Sequence, residues 1–282
     1  MRNFLQINKI LNSLSTIFVS KSIIYFKSIY STNDFAINLV DFQQNFEINK
    51  TINHKILDTK QSLNNGTVII AEKQTKGKGR LGRTWFSPPG GLWFTIILNI
   101  TQNIKKFKKD KVYNKSSENT NYINLSYKLA SKLTILTASA LLSALNNYLT
   151  LYDNLNNIKA KENNQNKFFI KWPNDIYFSG KKLAGILLES VKFKNNLYLF
   201  IGIGINVNNK ITTSKKINQI TTNEINQEIN AISLAEIYNT KIDREVLFAE
   251  IINDFENKYI YYIQTNDFNF IFSQIKEFIK LY

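Results

Sequence analysis

Between Lys73 and Pro89 the chain reads KQTKGKGRLGRTWFSPP, with three glycines (Gly77, Gly79, Gly82) among four cations (Lys76, Lys78, Arg80, Arg83) and an aromatic pair, Trp85–Phe86, at its close. Glycine lets backbone amides approach a ligand closely. Lys and Arg bring charge and N–H donors for phosphate or carboxylate, and an indole offers a flat face to a planar ring. Such a segment suits a mobile loop that folds over an anionic, nucleotide-like ligand, by analogy with phosphate-binding loops. The bland alternative is a solvated basic loop in a basic protein.

Two further segments carry chemistry. Lys171-Trp-Pro-Asn-Asp175 is followed by Lys182-Leu-Ala-Gly185. Pro173 fixes φ and forces a turn, so Asn174 and Asp175 project from a strand end. Gly180 completes a hairpin, and Leu183–Leu188 runs back beside the first strand. Lys182 therefore lies near the start of a buried strand, where a cation needs an anionic partner. A bound carboxylate or phosphate would provide one; a structural hairpin with a solvent-facing Lys181–Lys182 pair would not need it. In Ile201–Asn208, IGIGINVN, Gly202 and Gly204 weaken a strand, which implies close approach of a flat ligand or of a helix. Asn206 is placed to hydrogen-bond such a ligand. The run is neither the dinucleotide fingerprint nor the Gly-Lys-Ser/Thr phosphate loop.

Composition narrows the classes. The 282 residues include no Cys and a single His, His54. Disulfides, thiolate metal sites and a Cys nucleophile are excluded, and His54, in a polar stretch, reads as a surface residue. Catalysis must rest on Lys, Arg, carboxylates and backbone amides. The net charge is +15, but many lysines sit in Asn/Lys-rich stretches and no nucleic-acid-reading module accompanies them. No apolar run reaches the ~18–20 residues that span a bilayer. The first acidic residue is Asp34, so residues 1–21 read as a helical extension or an organelle transit segment. Cytoplasm is the first expectation for location, with mitochondrion or plastid as alternatives.

The elements that must position these segments alternate. Short apolar runs at Ile23–Phe26, Thr67–Ala71, Leu92–Ile100, Phe168–Ile170, Ile176–Phe178, Leu183–Glu189 and Leu197–Val207 predict strands. Helices are expected from Asp34–Phe42, and over Ser126–Leu149, where Leu129, Leu133, Leu136, Ala140 and Ala144 share one face. A capping box at Ser233-Leu-Ala-Glu236 starts another, and Arg244–Ile263 carries Leu247, Ile251, Phe255 and Tyr259 on a stripe. Residues 101–121, 154–167 and 208–230 read as Asn/Lys-rich loop insertions. Strands outnumber helices without βαβ alternation, so the fold class is α+β, a mixed central β-sheet flanked by helices.

The ordered set GKGRLGRTWFSPPGG, KWPND, KKLAGILLE and GIGINVN, with Ser31-Thr32-Asn33 before it and SLAEI…DREVLFAEIINDFE after it, resembles the biotin protein ligases over residues 22–265. The resemblance implies a class II aminoacyl-tRNA-synthetase-like catalytic domain over 22–282. It implies two steps: biotin and ATP give biotinyl-5′-AMP and pyrophosphate, then a lysine of a biotin carboxyl-carrier domain takes the biotinyl group. Lys182, Arg80 and Lys78 would be catalytic. Ser31, Thr32, Asn33, Gln74, Gly77, Lys78, Gly79, Arg80, Lys182, Gly185 and Gly204 would bind biotin. Arg80, Arg83, Trp85, Asn174, Asp175, Lys182 and Asn206 would handle nucleotide, with Trp85 stacked on adenine and Mg²⁺ carried by ATP beside Asp175. Lys78 stands where the family usually has Arg. The stretch before Ser31 has no DNA-binding module, so a repressor role is not expected, and the C-terminal cap of many relatives reads as short or missing. Relatives include monomers and edge-to-edge dimers. The alternatives are a lipoate or octanoate ligase of the same fold, or a basic binding protein that kept the fold without the activity.

Overall fold

The computed structural model describes residues 4–45, 65–107, 118–155, 168–211 and 230–280. Its strands are β1 (Ile23–Phe26), β2 (Val68–Ala71), β3 (Leu92–Asn99), β4 (Phe168–Lys171), β5 (Asp175–Phe178), β6 (Lys181–Phe193), β7 (Asn196–Ile205) and β8 (Ile279–Lys280). They form one open 8-stranded sheet in the order β1-β2-β3-β7-β6-β5-β4-β8. The outer pairs β1–β2 and β4–β8 are parallel, and the pairs between them are antiparallel. The α+β expectation holds. Helices α1 (Ile7–Ser13), α2 (Thr32–Asn45), α3 (Ile100–Phe107), α4 (Glu118–Leu155), α5 (Leu234–Tyr238), α6 (Arg244–Thr265) and α7 (Phe268–Ser273) complete the fold.

Alternation along the strands sends side chains to two different layers. Phe94, Ile96, Leu98, Leu199, Ile201, Ile203 and Ile186 face the main core, which α4 and α6 close with Leu129, Leu133, Leu136, Leu141, Leu247, Ile251 and Phe255. Ile69, Ile97 and Phe200 face the opposite side and meet Ala36 and Val40 of α2. On that second face, register aligns Asp175 with Gly185, Gly185 with Gly204 and Gly204 with Trp93. The next row aligns Leu187, Gly202 and Thr95. The α2 helix covers only part of this face, and the glycines leave a depression beyond its N-terminus.

The structure corrects several boundaries. Residues 101–121 are not one loop: α3 occupies Ile100–Phe107, burying Ile100, Thr101, Asn103 and Ile104, and α4 begins at Glu118. Polar composition masks the single Ile100/Ile104 repeat that seats α3. The Ser126–Leu149 helix extends at both ends, and α2 starts at Thr32 rather than Asp34. By length and composition Tyr127–Tyr148 could cross a bilayer, but its apolar side chains line the core instead. The capping box forms as read, with Ser233 N–H donating to Glu236 Oε2 at 2.9 Å. Most of 154–167 and 208–230 lies outside the described residues, as does His54.

Candidate active site

The basic loop is a folded-back strap. Gln74 and Ser87 bridge across it, as do Lys78 and Thr84, and Trp85 N–H donates to the Gly77 carbonyl at 2.8 Å. A Cβ on Gly77 would stand 2.3 Å from the Trp85 carbonyl oxygen; the strap can cross itself there only through glycine. At its tip, Arg80–Gly82 make a single 3₁₀ turn, with Leu81 (φ 57°) and Gly82 (φ 73°) in the left-handed region.

The strap closes over the glycine-floored depression. One cavity gathers Ser31, Thr32 and Asn33 from the start of α2, Gln74, Lys78, Gly79, Arg80 and Trp85 from the strap, Asn174 and Asp175 from the hairpin, and Lys182, Gly185 and Gly204 from the sheet. Gly77 does not line it. Arg83 and Asn206 lie with Asn174, Asp175, Lys182 and Trp85 on an adjoining groove of about 540 Å³, which also holds Lys171 and Trp172. The cavity and groove thus share the Trp85–Lys182–Asp175 corner.

One end of the cavity is neutral and polar. Gln74 Oε1 accepts the Thr32 N–H at 2.8 Å, and Gln74 Nε2 donates to Ser87 Oγ at 2.8 Å. Asn33 lines the cavity, and its amide is engaged with the protein: its nitrogen is 2.8 Å from Glu189 Oε2 and its oxygen 2.6 Å from Thr95 Oγ1. Ser31 Oγ is occupied with the Asp34 N–H at 3.3 Å. Thr95, Glu189 and Ser87 were missed by sequence reasoning. The signal for Thr95 was a lone hydroxyl in the otherwise apolar run LWFTIIL; Glu189 and Ser87 are polar residues without a distinguishing pattern.

The other end is cationic. Lys182 Nζ pairs with Asp175 at 2.7 Å and lies 5.0 Å from the Trp85 ring centroid. Arg80 donates to Asn174 Oδ1 at 2.7 Å, and Asn174 Nδ2 donates to Asp175 Oδ1 at 3.0 Å and to the Ile186 carbonyl at 3.1 Å. Lys78 stands apart from this group, on the α2 side: its Nζ pairs with Asp34 at 2.6 Å, and that hydrogen bond raises the Lys78 pKa above its ordinary value, against partial desolvation. Asn206 Oδ1 accepts from Asn209 at 3.0 Å.

Trp85 lines both the cavity and the groove. Its indole lies on the glycine floor, where a Cβ on Gly204 would meet Nε1 at 2.5 Å. Nε1 is buried without a hydrogen-bond partner among the described residues. With the ring there, only about 50 Å³ of the cavity is free, against roughly 300–1,000 Å³ for pockets that take drug-sized ligands.

The model of the biotin/lipoate A/B protein ligase family matches residues 47–206 of this chain. The chain belongs to that family. Among its relatives, a bifunctional ligase/repressor BirA of Bacillus subtilis is 29% identical over 198 residues, 69% of this chain and 46% of the relative. A biotin–protein ligase of Schizosaccharomyces pombe is 28% identical over 219 residues, 72% of this chain and 28% of the relative. This family member thus spans less than half the length of these two relatives. Its fold is that of an Aquifex aeolicus biotin protein ligase solved with biotin and ATP (TM-score 0.55, 23% identity, 92% of this chain and 78% of that one). It is also that of a Leishmania major biotin protein ligase solved with biotinyl-5-AMP (TM-score 0.57, 19% identity, 92% and 82%).

Proposed function

We propose that this chain is an ATP-dependent biotin–protein ligase: it activates biotin as biotinyl-5′-AMP and passes it to a lysine of a biotin carboxyl-carrier domain. The observation that carries the reading is the polarity of one cavity, with the neutral hydrogen-bonding pair Thr32 and Gln74 on one side and Arg80 and Lys182 grouped with Asn174 and Asp175 on the other, while Lys78 is held by Asp34 of α2. A neutral ring with a carboxylate tail, bound beside a triphosphate, matches that gradient. The names of the sequence relatives point the same way.

In the first step a carboxylate oxygen attacks the α-phosphorus, and the bond to the bridging oxygen breaks as pyrophosphate leaves with the electron pair. Two anions must meet, so catalysis lies in positioning and in cations that stabilise charge on the phosphoryl oxygens. Lys182 stands at the corner shared by cavity and groove, where the carboxylate would meet the α-phosphate. Arg80, held by Asn174, approaches from the strap. Arg83, Lys171 and Asn206 line the groove where the nucleotide would lie. In the second step a neutral lysine amine of the acceptor attacks the anhydride carbonyl; AMP departs and the amine loses a proton. Mg²⁺ would arrive with the triphosphate. Among the described residues Asp175 is the one carboxylate on either cavity or groove, and they include no cluster of three or more acidic or His side chains that could cage a metal.

The test is biotin-dependent ATP–pyrophosphate exchange by the purified chain, with lipoate and octanoate in parallel. Exchange with biotin alone is expected. Exchange only with lipoate or octanoate would move the substrate to the sister branch, and no exchange with any acid would leave a binding protein.

A further inference from the structure

The neutral end of the cavity rests on a chain of hydrogen bonds whose direction is fixed at both ends. At one end, Glu189 lies 2.8 Å from Asn33 Nδ2. A carboxylate accepts and does not donate, so Asn33 turns its nitrogen to Glu189 and its oxygen to Thr95. Asn33 can lie flat there because position 202 is glycine: a Cβ would stand 2.3 Å from Asn33 Oδ1. Thr95 is fully buried, with its hydroxyl 2.6 Å from Asn33 Oδ1 and 2.9 Å from Thr32 Oγ1. Its single proton must go to the amide oxygen, which has none to give. At the other end, Ser87 donates to the Trp85 carbonyl at 3.2 Å and accepts from Gln74 Nε2 at 2.8 Å. Gln74 therefore turns its oxygen to Thr32, 3.1 Å from Oγ1. The Thr32 hydroxyl proton has two destinations, Thr95 Oγ1 and Gln74 Oε1, and both lie inside the protein. Only lone pairs of Thr32 Oγ1 face the cavity.

We propose that Thr95 and Glu189 are positioning residues for specificity: acting through Asn33, they fix Thr32 Oγ1 as an obligate acceptor that selects an acid whose ring carries an N–H donor, a cyclic urea. Neither residue lines the cavity. The inference rests on the biotin reading and supplies its selectivity. An acid ending in an alkyl chain or a disulfide ring offers Thr32 no donor and leaves its buried lone pairs unpaired, which is how a polar site rejects an analogue lacking the matching group.

The test compares Thr95→Val, close in shape but without the hydroxyl, with Thr95→Ser, which keeps it. Apparent KM values for biotin and for ATP come from pyrophosphate exchange, and melting temperatures are taken alongside. Thr95→Val strips the buried Asn33 Oδ1 of its donor and leaves Gln74 Oε1 alone to hold the Thr32 hydroxyl; with Asn33 and Thr32 no longer fixed, KM for biotin is expected to rise about tenfold or more, with KM for ATP within about twofold. Thr95→Ser is expected to restore biotin KM. Unchanged biotin KM in Thr95→Val, an equal rise in ATP KM, or no rescue by Ser would overturn the relay while leaving the ligase reading intact. Absence of biotin-dependent exchange in the unaltered chain would overturn both.

Discussion

Lys182 is held by Asp175 at 2.7 Å, and that pair orients its charge at the corner shared by cavity and groove. Preorganised charge of this kind is worth about 10²–10³ in rate per donor. Lys182→Ala is therefore expected to cut biotin-dependent exchange by about that factor with the fold intact. A basic binding protein with 36 cations would barely register the change, and retained turnover in the variant would remove Lys182 from the mechanism. Trp85 makes a second prediction. Its indole occupies the glycine floor and leaves Nε1 without a partner among the described residues, so on the proposed reading biotin would have to displace the ring. Tryptophan emission should shift on biotin addition and fail to shift in Trp85→Phe, since Trp93 is fully buried and Trp172 lines the adjoining groove and not the cavity. The cations and glycines of the site were legible because their types and spacing are unusual. Thr95 and Glu189 were not, because their roles come from strand register, which places Thr95 opposite Gly202.

Each functional side chain sits where an element ends or folds back: Thr32 at the start of α2, Lys182 near the start of β6, Asn174 and Asp175 beside the β4–β5 turn. The strap obeys the same logic, and its crossing at Gly77 is its tightest point. Gly77→Ala places a methyl 2.3 Å from backbone oxygen, and neither atom can rotate away. The strap must open, carrying Lys78, Arg80 and Trp85 with it. The expected outcome is a drop in exchange of at least tenfold, with KM for ATP and biotin both raised and the melting temperature little changed, because no core contact is lost. A variant with wild-type kinetics would show that the strap does not need this crossing. Strong periodicity made α4 and α6 readable from sequence, and strands showed as β-branched runs. The α3 helix did not show: two isoleucines among Asn, Gln and Lys carry too little pattern, and the helix is seated by the sheet it covers rather than by propensity.

The sheet divides the molecule into a core face and a ligand face, and the N-terminal stretch is built into the former. Leu5, Ile10 and Val19 belong to the main hydrophobic cluster. Glu256, 2% exposed, accepts the backbone N–H groups of Ile17, Phe18 and Val19. Glu72 accepts from Leu5 N–H and from Tyr25, and pairs with buried Arg244 at 2.8 Å. Glu72 stands two residues before Gln74, so the N-terminal segment reaches the root of the strap through one carboxylate. Lys9 and Asp243 add an exposed pair. Burial alone would raise the Asp243 pKa, but the Lys9 hydrogen bond and the Val246 N–H outweigh it and the net shift is downward from 3.8. The stabilisation from Asp243 is thus present above the unfolded value and fades only as pH falls through a folded value below 3.8. A removable leader would strip the buried Glu256 of the N–H groups of Ile17, Phe18 and Val19, costing about 1–3 kcal/mol or more, would take the Leu5 N–H from Glu72, which keeps Tyr25 and Arg244, and would bare the face of α6 that α1 covers. Deleting residues 1–20 is expected to lower the melting temperature by 10 °C or more and to weaken exchange through the Glu72 end, whereas Glu256→Gln, which keeps an acceptor but loses the charge, should cost less. At neutral pH the segment should resist limited proteolysis, and the Lys9–Asp243 contribution to that protection should persist down to the 3.8 of an ordinary Asp. A deletion with unchanged stability and exchange would return residues 4–20 to the status of a dispensable extension.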